Sequence, residues 1–390
     1  MAEQLWWEAS IWILLALASS LLSLKIGISV ALVEIIVGII AGNTIHPNIT
    51  PWVKFLSSFG AVILTFLAGA ELERDVIKKY WKESLILGLI GFFAPFIGAW
   101  LIAQFILGWE LKQAQLAGIA LSTTSVAVVY AVMVETGLNE KPLGKIILAA
   151  CFVNDLGTVI ALGLLFTKIN ITLIIFTVAT ILVIIILPKF SEIYFRVVKN
   201  HPSEPEVKFI FFTLSLFGLF AVKSGSEAVL PAYLIGAALA NLFLENRELV
   251  KRMRATTIAI LTPFYFLKAG SLVNLQAILT QIGALTVLFF AKVISKFVGL
   301  YPAGVAFRFR TKVNLYNVML MSTGLTFGTI SALYGLEHNI IDQNQYSLLV
   351  TVVILSALIP TYIAQKFFYP KDEEASNFKI ERKKEDKMRK

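Results

Sequence analysis

Asp155 lies inside an apolar run, Ala149-Ala-Cys-Phe-Val-Asn-Asp-Leu-Gly-Thr-Val-Ile160. A charge at the centre of a bilayer costs about 3 kcal/mol on insertion scales, so an intramembrane acid is a functional residue by default. A single carboxyl group there can hold a proton or a dehydrated monovalent cation, but hardly both. That competition is the least machinery needed to exchange one for the other. Asn154 adds an amide oxygen that cannot titrate. Thr123, Thr124 and nearby main-chain carbonyls offer further oxygen ligands. Lys296, deep in another apolar run, is the natural ion-pair partner for Asp155; Lys292, one helical turn earlier on the same face, is the second choice. Lys268 lies near a span end, where snorkelling to the interface is expected. Glu34, in Ala31-Leu-Val-Glu-Ile-Ile-Val-Gly38, reads as a structural intramembrane acid at a helix contact. Glu71 and Glu73 read as a span end, and Glu135 and Glu140 as a cytoplasmic mouth.

The elements that must position these residues follow from composition. Hydrophobic residues make up 57% of the 390 and charged residues 15%, against about 25% charged in soluble domains. Apolar stretches long enough to span a bilayer run almost end to end. They do not alternate as β-barrel strands would. The reading is an all-α membrane protein with about thirteen transmembrane helices: 9–24, 28–43, 55–73, 84–108, 114–135, 142–166, 170–188, 207–223, 228–245, 255–272, 277–305, 314–335 and 345–368. The transmembrane domain is 1–369, and 370–390 is a short charged tail expected to be disordered.

The net charge of +9 does not point to nucleic acid, because the basic residues cluster at span ends and in the tail. With thirteen spans, 27 lysines and arginines fall on one side and 4 on the other, leaving Lys268, Lys292 and Lys296 within spans. The basic side is expected to be cytoplasmic. This puts the N-terminus outside or in a lumen and the C-terminus in the cytoplasm. The single cysteine, Cys151, says nothing about redox compartment.

Two spans are interrupted by polar residues: Leu121-Ser-Thr-Thr-Ser-Val126 in span five, and Ser322-Thr-Gly-Leu-Thr-Phe-Gly-Thr-Ile-Ser331 in span twelve. Hydroxyls can satisfy backbone groups freed where a helix breaks. With span seven (about 170–188) set aside as a linker, two six-span sets remain, about 9–166 and 207–368, in inverted orientation. The interruption is the fifth member of each, and such pairing points to a transport site. Thr326, Phe327, Gly328 and Thr329 mark the second discontinuous helix.

At these residues the sequence resembles the monovalent cation/proton antiporter superfamily. Within it, the resemblance is to the branch holding NapA-type sodium/proton and Kef-type potassium/proton exchangers. It rests on Glu34-Ile-Ile-Val-Gly-Ile-Ile-Ala-Gly42, Phe66-Leu-Ala-Gly-Ala-Glu-Leu-Glu73, Ser122-Thr-Thr-Ser-Val-Ala-Val128, Asn154-Asp155 with Gly157, and Lys296-x-x-Gly299. The resemblance implies the NhaA-type fold, with two inverted repeats, two crossed discontinuous helices and a homodimer. It also implies Asp155 as carrier of cation and proton, Thr123 and Thr124 at the first break, and Lys296 as the pairing lysine. Electrogenic members carry Asp-Asp where this chain has Asn154-Asp155; the Asn-Asp pair resembles electroneutral members, which often have arginine where Lys296 stands. One proton moves per cation if Lys296 stays charged and two if it releases its proton when the cation binds, and electroneutral exchange is the expectation. The expected ions are sodium ahead of potassium, and protons. No cofactor, enzymatic activity or nucleic-acid partner is expected, only membrane lipid. The rival readings are a potassium/proton efflux exchanger, a sodium-coupled solute symporter on the same fold, and a channel or sensor. A symporter needs further cation ligands and a solute cavity, against which the Asp155–Lys296 combination argues.

Overall fold

A computed structural model describes residues 2–27, 29–70, 80–135, 138, 141–166, 171–198, 201–224 and 228–370. The readings at Glu71, Glu73 and Glu140, the side chain of Glu135, and the tail beyond Pro370 lie outside the described residues. The described chain is helical throughout its regular structure. Among the described residues, nine helical stretches are long and apolar enough to cross a membrane, one of them Thr311–Glu337 taken across its interruption. Val30–Thr44 and Pro231–Glu245 are shorter apolar helices. The chain is an integral, multi-pass membrane protein.

It divides into two compact units, each assembled from two separated stretches. The first comprises Met1–Arg74 and Val159–Asn274. Its helices are α1 (Ala2–Ile26), α2 (Val30–Thr44) and α3 (Pro51–Ala70), then α8 (Ile171–Val198), α9 (Pro205–Ser224), α10 (Val229–Glu245), α11 (Arg247–Thr256) and α12 (Thr262–Ser271). A π-helical turn, Thr257–Leu261, joins α11 to α12. The linker expected to end near 188 continues as helix to Val198, through Pro188. Hydropathy marks where a helix leaves the apolar layer, not where its backbone hydrogen bonding stops.

Close packing in this unit depends on glycine. A Cβ on Gly38 would collide with the carbonyl of Leu267, and one on Gly270 with the carbonyl of Ile35. The contact of α3 with α10 repeats the pattern, Gly69 lying on Tyr233 and Gly236 on Phe66. Lipid tails are as apolar as side chains, so close backbone approach at small residues is the main source of helix association. Lys268 departs from its expected place. It is 3% exposed within a helix buried on all sides from Thr262 to Gly270, so its amine does not snorkel.

The second unit comprises Asp75–Thr158 and Leu275–Lys390. It holds α4 (Trp81–Phe105), α5 (Leu111–Ser122), α6 (Val126–Glu135), most of α7 (Pro142–Phe166), α13 (Leu275–Thr280), α14 (Ile282–Ala306), α15 (Thr311–Met321), α16 (Thr326–Glu337) and α17 (Gln343–Phe367). Its core gathers Leu87, Val129, Ile147, Leu300, Val318 and their neighbours. α4 packs on both α5 and α14, and α16 on both α5 and α17.

Candidate functional site

Both polar interruptions are breaks in helix. α5 stops at Ser122, Thr123 is extended (φ −64°, ψ 151°), and α6 starts at Val126. α15 stops at Met321 and α16 starts at Thr326, after Leu325 at φ −153° and ψ −79°. The hydroxyls do what broken helices require, since each turns back onto a carbonyl of its own last turn. Ser122 Oγ donates to Ile119 O at 2.8 Å, Thr123 Oγ1 to Ala120 O at 3.0 Å, Ser322 Oγ to Val318 O at 2.7 Å and Thr323 Oγ1 to Leu320 O at 2.8 Å. In a medium without water, a freed carbonyl left unpartnered would cost several kcal/mol; at the second break the hydroxyl bonds add to backbone bonds that Val318 O and Leu320 O already accept.

The breaks are joined to each other. Thr124 Oγ1 donates to Met321 O at 2.8 Å, and Ser125 N donates to Thr323 O at 3.0 Å. Gly328, in the first turn of α16, faces the first break, where a Cβ would stand 2.9 Å from Ala120 O and 3.0 Å from Thr123 Oγ1. Thr329 Oγ1 stays within its own helix, donating to Leu325 O at 2.8 Å. Phe327 is buried and Thr326 half-buried.

α7 brings Asn154 and Asp155 to this crossing. Asn154 acts as a splint, its Oδ1 accepting from Thr124 N at 3.0 Å and its Nδ2 donating to Ser122 O at 3.2 Å. One side chain thus satisfies a backbone donor and a backbone acceptor on either side of Thr123. Asp155 is 1% exposed, and its Oδ1 has no hydrogen-bond partner among the described residues.

α14 supplies two fully buried lysines. Lys296 Nζ donates to Thr124 Oγ1 at 2.8 Å, and Lys292 Nζ donates to Thr123 O at 3.2 Å. Among the described residues, neither lysine forms an ion pair with Asp155 within 4 Å. Both lysines therefore address the first break, and Thr124 lies between Lys296 and the second. The amines meet the C-terminal end of α5, where the helix dipole favours positive charge.

Of the residues expected at the site, Asp155, Asn154, Thr123, Thr124, Lys292, Lys296 and Gly328 converge. Glu34 belongs to the other unit. It is fully buried on α2, and neither of its carboxyl oxygens has a hydrogen-bond partner. Sequence reasoning passed over three participants: the Met321 carbonyl, Gly324 and Ser356. A Cβ on Gly324 would collide with Lys292 Nζ and would stand 3.1 Å from Thr123 Oγ1 and 3.2 Å from Ser356 Oγ. A serine mid-span and a carbonyl carry no signal in sequence; Gly324, inside the second polar run, carried one.

A family model described as sodium/hydrogen exchanger, transmembrane, matches residues 12–367. A probable Na(+)/H(+) antiporter 3 of Methanocaldococcus jannaschii is 26% identical over 355 residues, covering 88% of this chain and 90% of that one. A Na(+)/H(+) antiporter of Enterococcus hirae is 25% identical over 363 residues, covering 89% and 93%. Among solved structures, the sodium proton antiporter MjNhaP1 from M. jannaschii at pH 8 superposes with a TM-score of 0.70 at 16% identity, over 94% of this chain and 100% of that one.

Proposed function

We infer that this chain, which belongs to the sodium/hydrogen exchanger family, is a secondary antiporter that exchanges a monovalent cation, sodium ahead of potassium, for protons. The relatives named above are sodium/proton antiporters by name, and the reading of this chain as a cation/proton antiporter accords with them. The observation that carries the mechanism is the state of Asp155. It is a buried carboxyl with one oxygen free of hydrogen bonds, beside two cross-linked helix breaks. Asp155 takes the cation or the proton in alternation, and the site opens to one side of the membrane at a time. The threonine oxygens and break carbonyls complete the cation's ligand shell, as hard monovalent cations require. Asn154 holds the first break in the shape that presents them.

Thirteen spans in two inverted repeats, about 9–166 and 207–368, provide the architecture for that alternation. Three regularities support the repeats. α4 and α14 are each 25 residues long, and so are α7 and α17. Both pairs are related by a shift of 201 residues, 81 to 282 and 142 to 343, while Ser122-Thr123 and Ser322-Thr323 are related by 200, one residue fewer at the break. The glycine contacts of α2 with α12 and of α3 with α10 are the two copies that an exchange of repeats would generate. The N-terminus faces outside or a lumen, the basic C-terminal side faces the cytoplasm, and the protein is a homodimer. With Lys296 remaining charged, one carboxyl exchanges one proton per cation, so transport is electroneutral.

A cation screen in proteoliposomes at several pH values tests this reading. Sodium added to vesicles carrying a proton gradient should dissipate it, with potassium weaker. A proton gradient that no monovalent cation dissipates, together with uptake of a solute that requires sodium, would establish symport instead.

A further inference from the structure

Among the described residues, Lys292 has no acidic partner within 4 Å. Its fully buried ammonium donates to a single backbone carbonyl, Thr123 O at 3.2 Å. A buried cation without a counter-charge is expensive unless its surroundings are built for a cation. Gly324 keeps a gap open beside the amine: a Cβ there would collide with Lys292 Nζ and would stand 3.1 Å from Thr123 Oγ1 and 3.2 Å from Ser356 Oγ, so both hydroxyls border the same gap. Both hydroxyls spend their protons on carbonyls of their own helices, Ala120 O and Val353 O. Their lone pairs are left for a cation.

The position of this cage within the chain identifies it. α7 runs from Pro142 to Phe166 and α17 from Gln343 to Phe367, so Asp155 on the first falls on Ser356 of the second. In the paired breaks, Thr124 falls on Gly324. The oxygens and glycine around Lys292 Nζ are therefore the repeat-related copy of the Asp155 site, with serine in place of the carboxylate and glycine in place of threonine. A lysine ammonium is itself a monovalent cation that seeks oxygen acceptors.

We propose that Lys292 is a tethered cation standing in the second, repeat-related copy of the Asp155 site, which limits the protein to one transported cation. The inference rests on the inverted-repeat reading and on Asp155 as carrier. It makes Lys292 a positioning and capacity-setting residue distinct from Lys296. Loss of the carboxylate and gain of the ammonium leave that copy nothing to bind a mobile ion with.

The test is the number of sodium ions bound per chain, measured by equilibrium binding of radioactive sodium to the full chain in lipid nanodiscs. Wild type binds one, and Asp155→Asn binds none. The double variant Lys292→Met with Ser356→Asp binds two, and one of them survives when Asp155→Asn is added. Lys292→Arg remains at one. The proposal is overturned if the double variant binds a single sodium that Asp155→Asn removes. If the double variant does not assemble, Lys292→Met in the Asp155→Asn background decides: recovery in sodium but not in choline supports the proposal, and equal behaviour in the two overturns it. Sodium binding by Asp155→Asn at the wild-type level would defeat the carrier assignment, while the extra ion in the double variant is still read separately.

Discussion

Asp155 stood out in sequence because an acid near the middle of an apolar span is costly, and a structural ion pair was the bland alternative to a carrier. Its neighbour was harder to read. Asn154 looked like an extra ligand, whereas both ends of its amide are engaged in holding the backbone on either side of Thr123. An amide beside an acid reads the same whether it binds an ion or braces a helix, and only the tertiary contact separates the two. The lysines posed the same difficulty. Lys292 and Lys296 share a face one turn apart, and periodicity cannot tell which reaches Thr124 and which reaches Thr123. Lys296 addresses the carrier region through Thr124 Oγ1 at 2.8 Å. Lys296→Gln should therefore move the pH profile of exchange while expression stays close to wild type. Initial rates over a range of pH in proteoliposomes check this, and an unchanged profile would remove Lys296 from the mechanism.

At the scale of elements, the breaks were readable because two hydroxyl clusters fall at matching places in the two halves; either one alone reads equally well as glue between helices. The glycine contacts were not. Gly38, Gly69, Gly236 and Gly270 are ordinary residues in sequence, and their purpose appears only when one helix backbone lies on another. The π-helical turn at Thr257–Leu261 was equally silent, since one inserted residue leaves hydropathy unchanged. Lys268 was misplaced for a related reason. Distance from a span end indicates snorkelling only when that face meets lipid, and here the whole turn is buried. Gly236→Ala forces a Cβ onto the Phe66 carbonyl and should destabilise the protein by about 1–3 kcal/mol, the usual cost of overpacking. A lowered thermal midpoint in detergent checks this, and an unchanged one would show that α3 and α10 part without penalty.

For the molecule as a whole, the sodium/hydrogen exchanger family and the all-helical membrane architecture were both visible from composition and motif order. Hydropathy could not reveal the division into two units, because each is stitched from distant stretches of chain. Charge bookkeeping gives the whole-molecule prediction. If one proton leaves for each cation that enters and Lys296 stays charged, no net charge crosses the membrane. Clamping the membrane potential with valinomycin and potassium should then leave sodium-driven rates unchanged. A clear dependence on voltage would mean that a second proton moves, and would implicate a buried lysine in the transport cycle.

The central claim is that Asp155 carries both ions, and one comparison tests it most directly. Vesicles containing wild-type protein, loaded with a proton gradient, should lose that gradient when sodium is added. Vesicles containing Asp155→Asn at equal protein density should keep it. A wild-type response from Asp155→Asn would contradict the account.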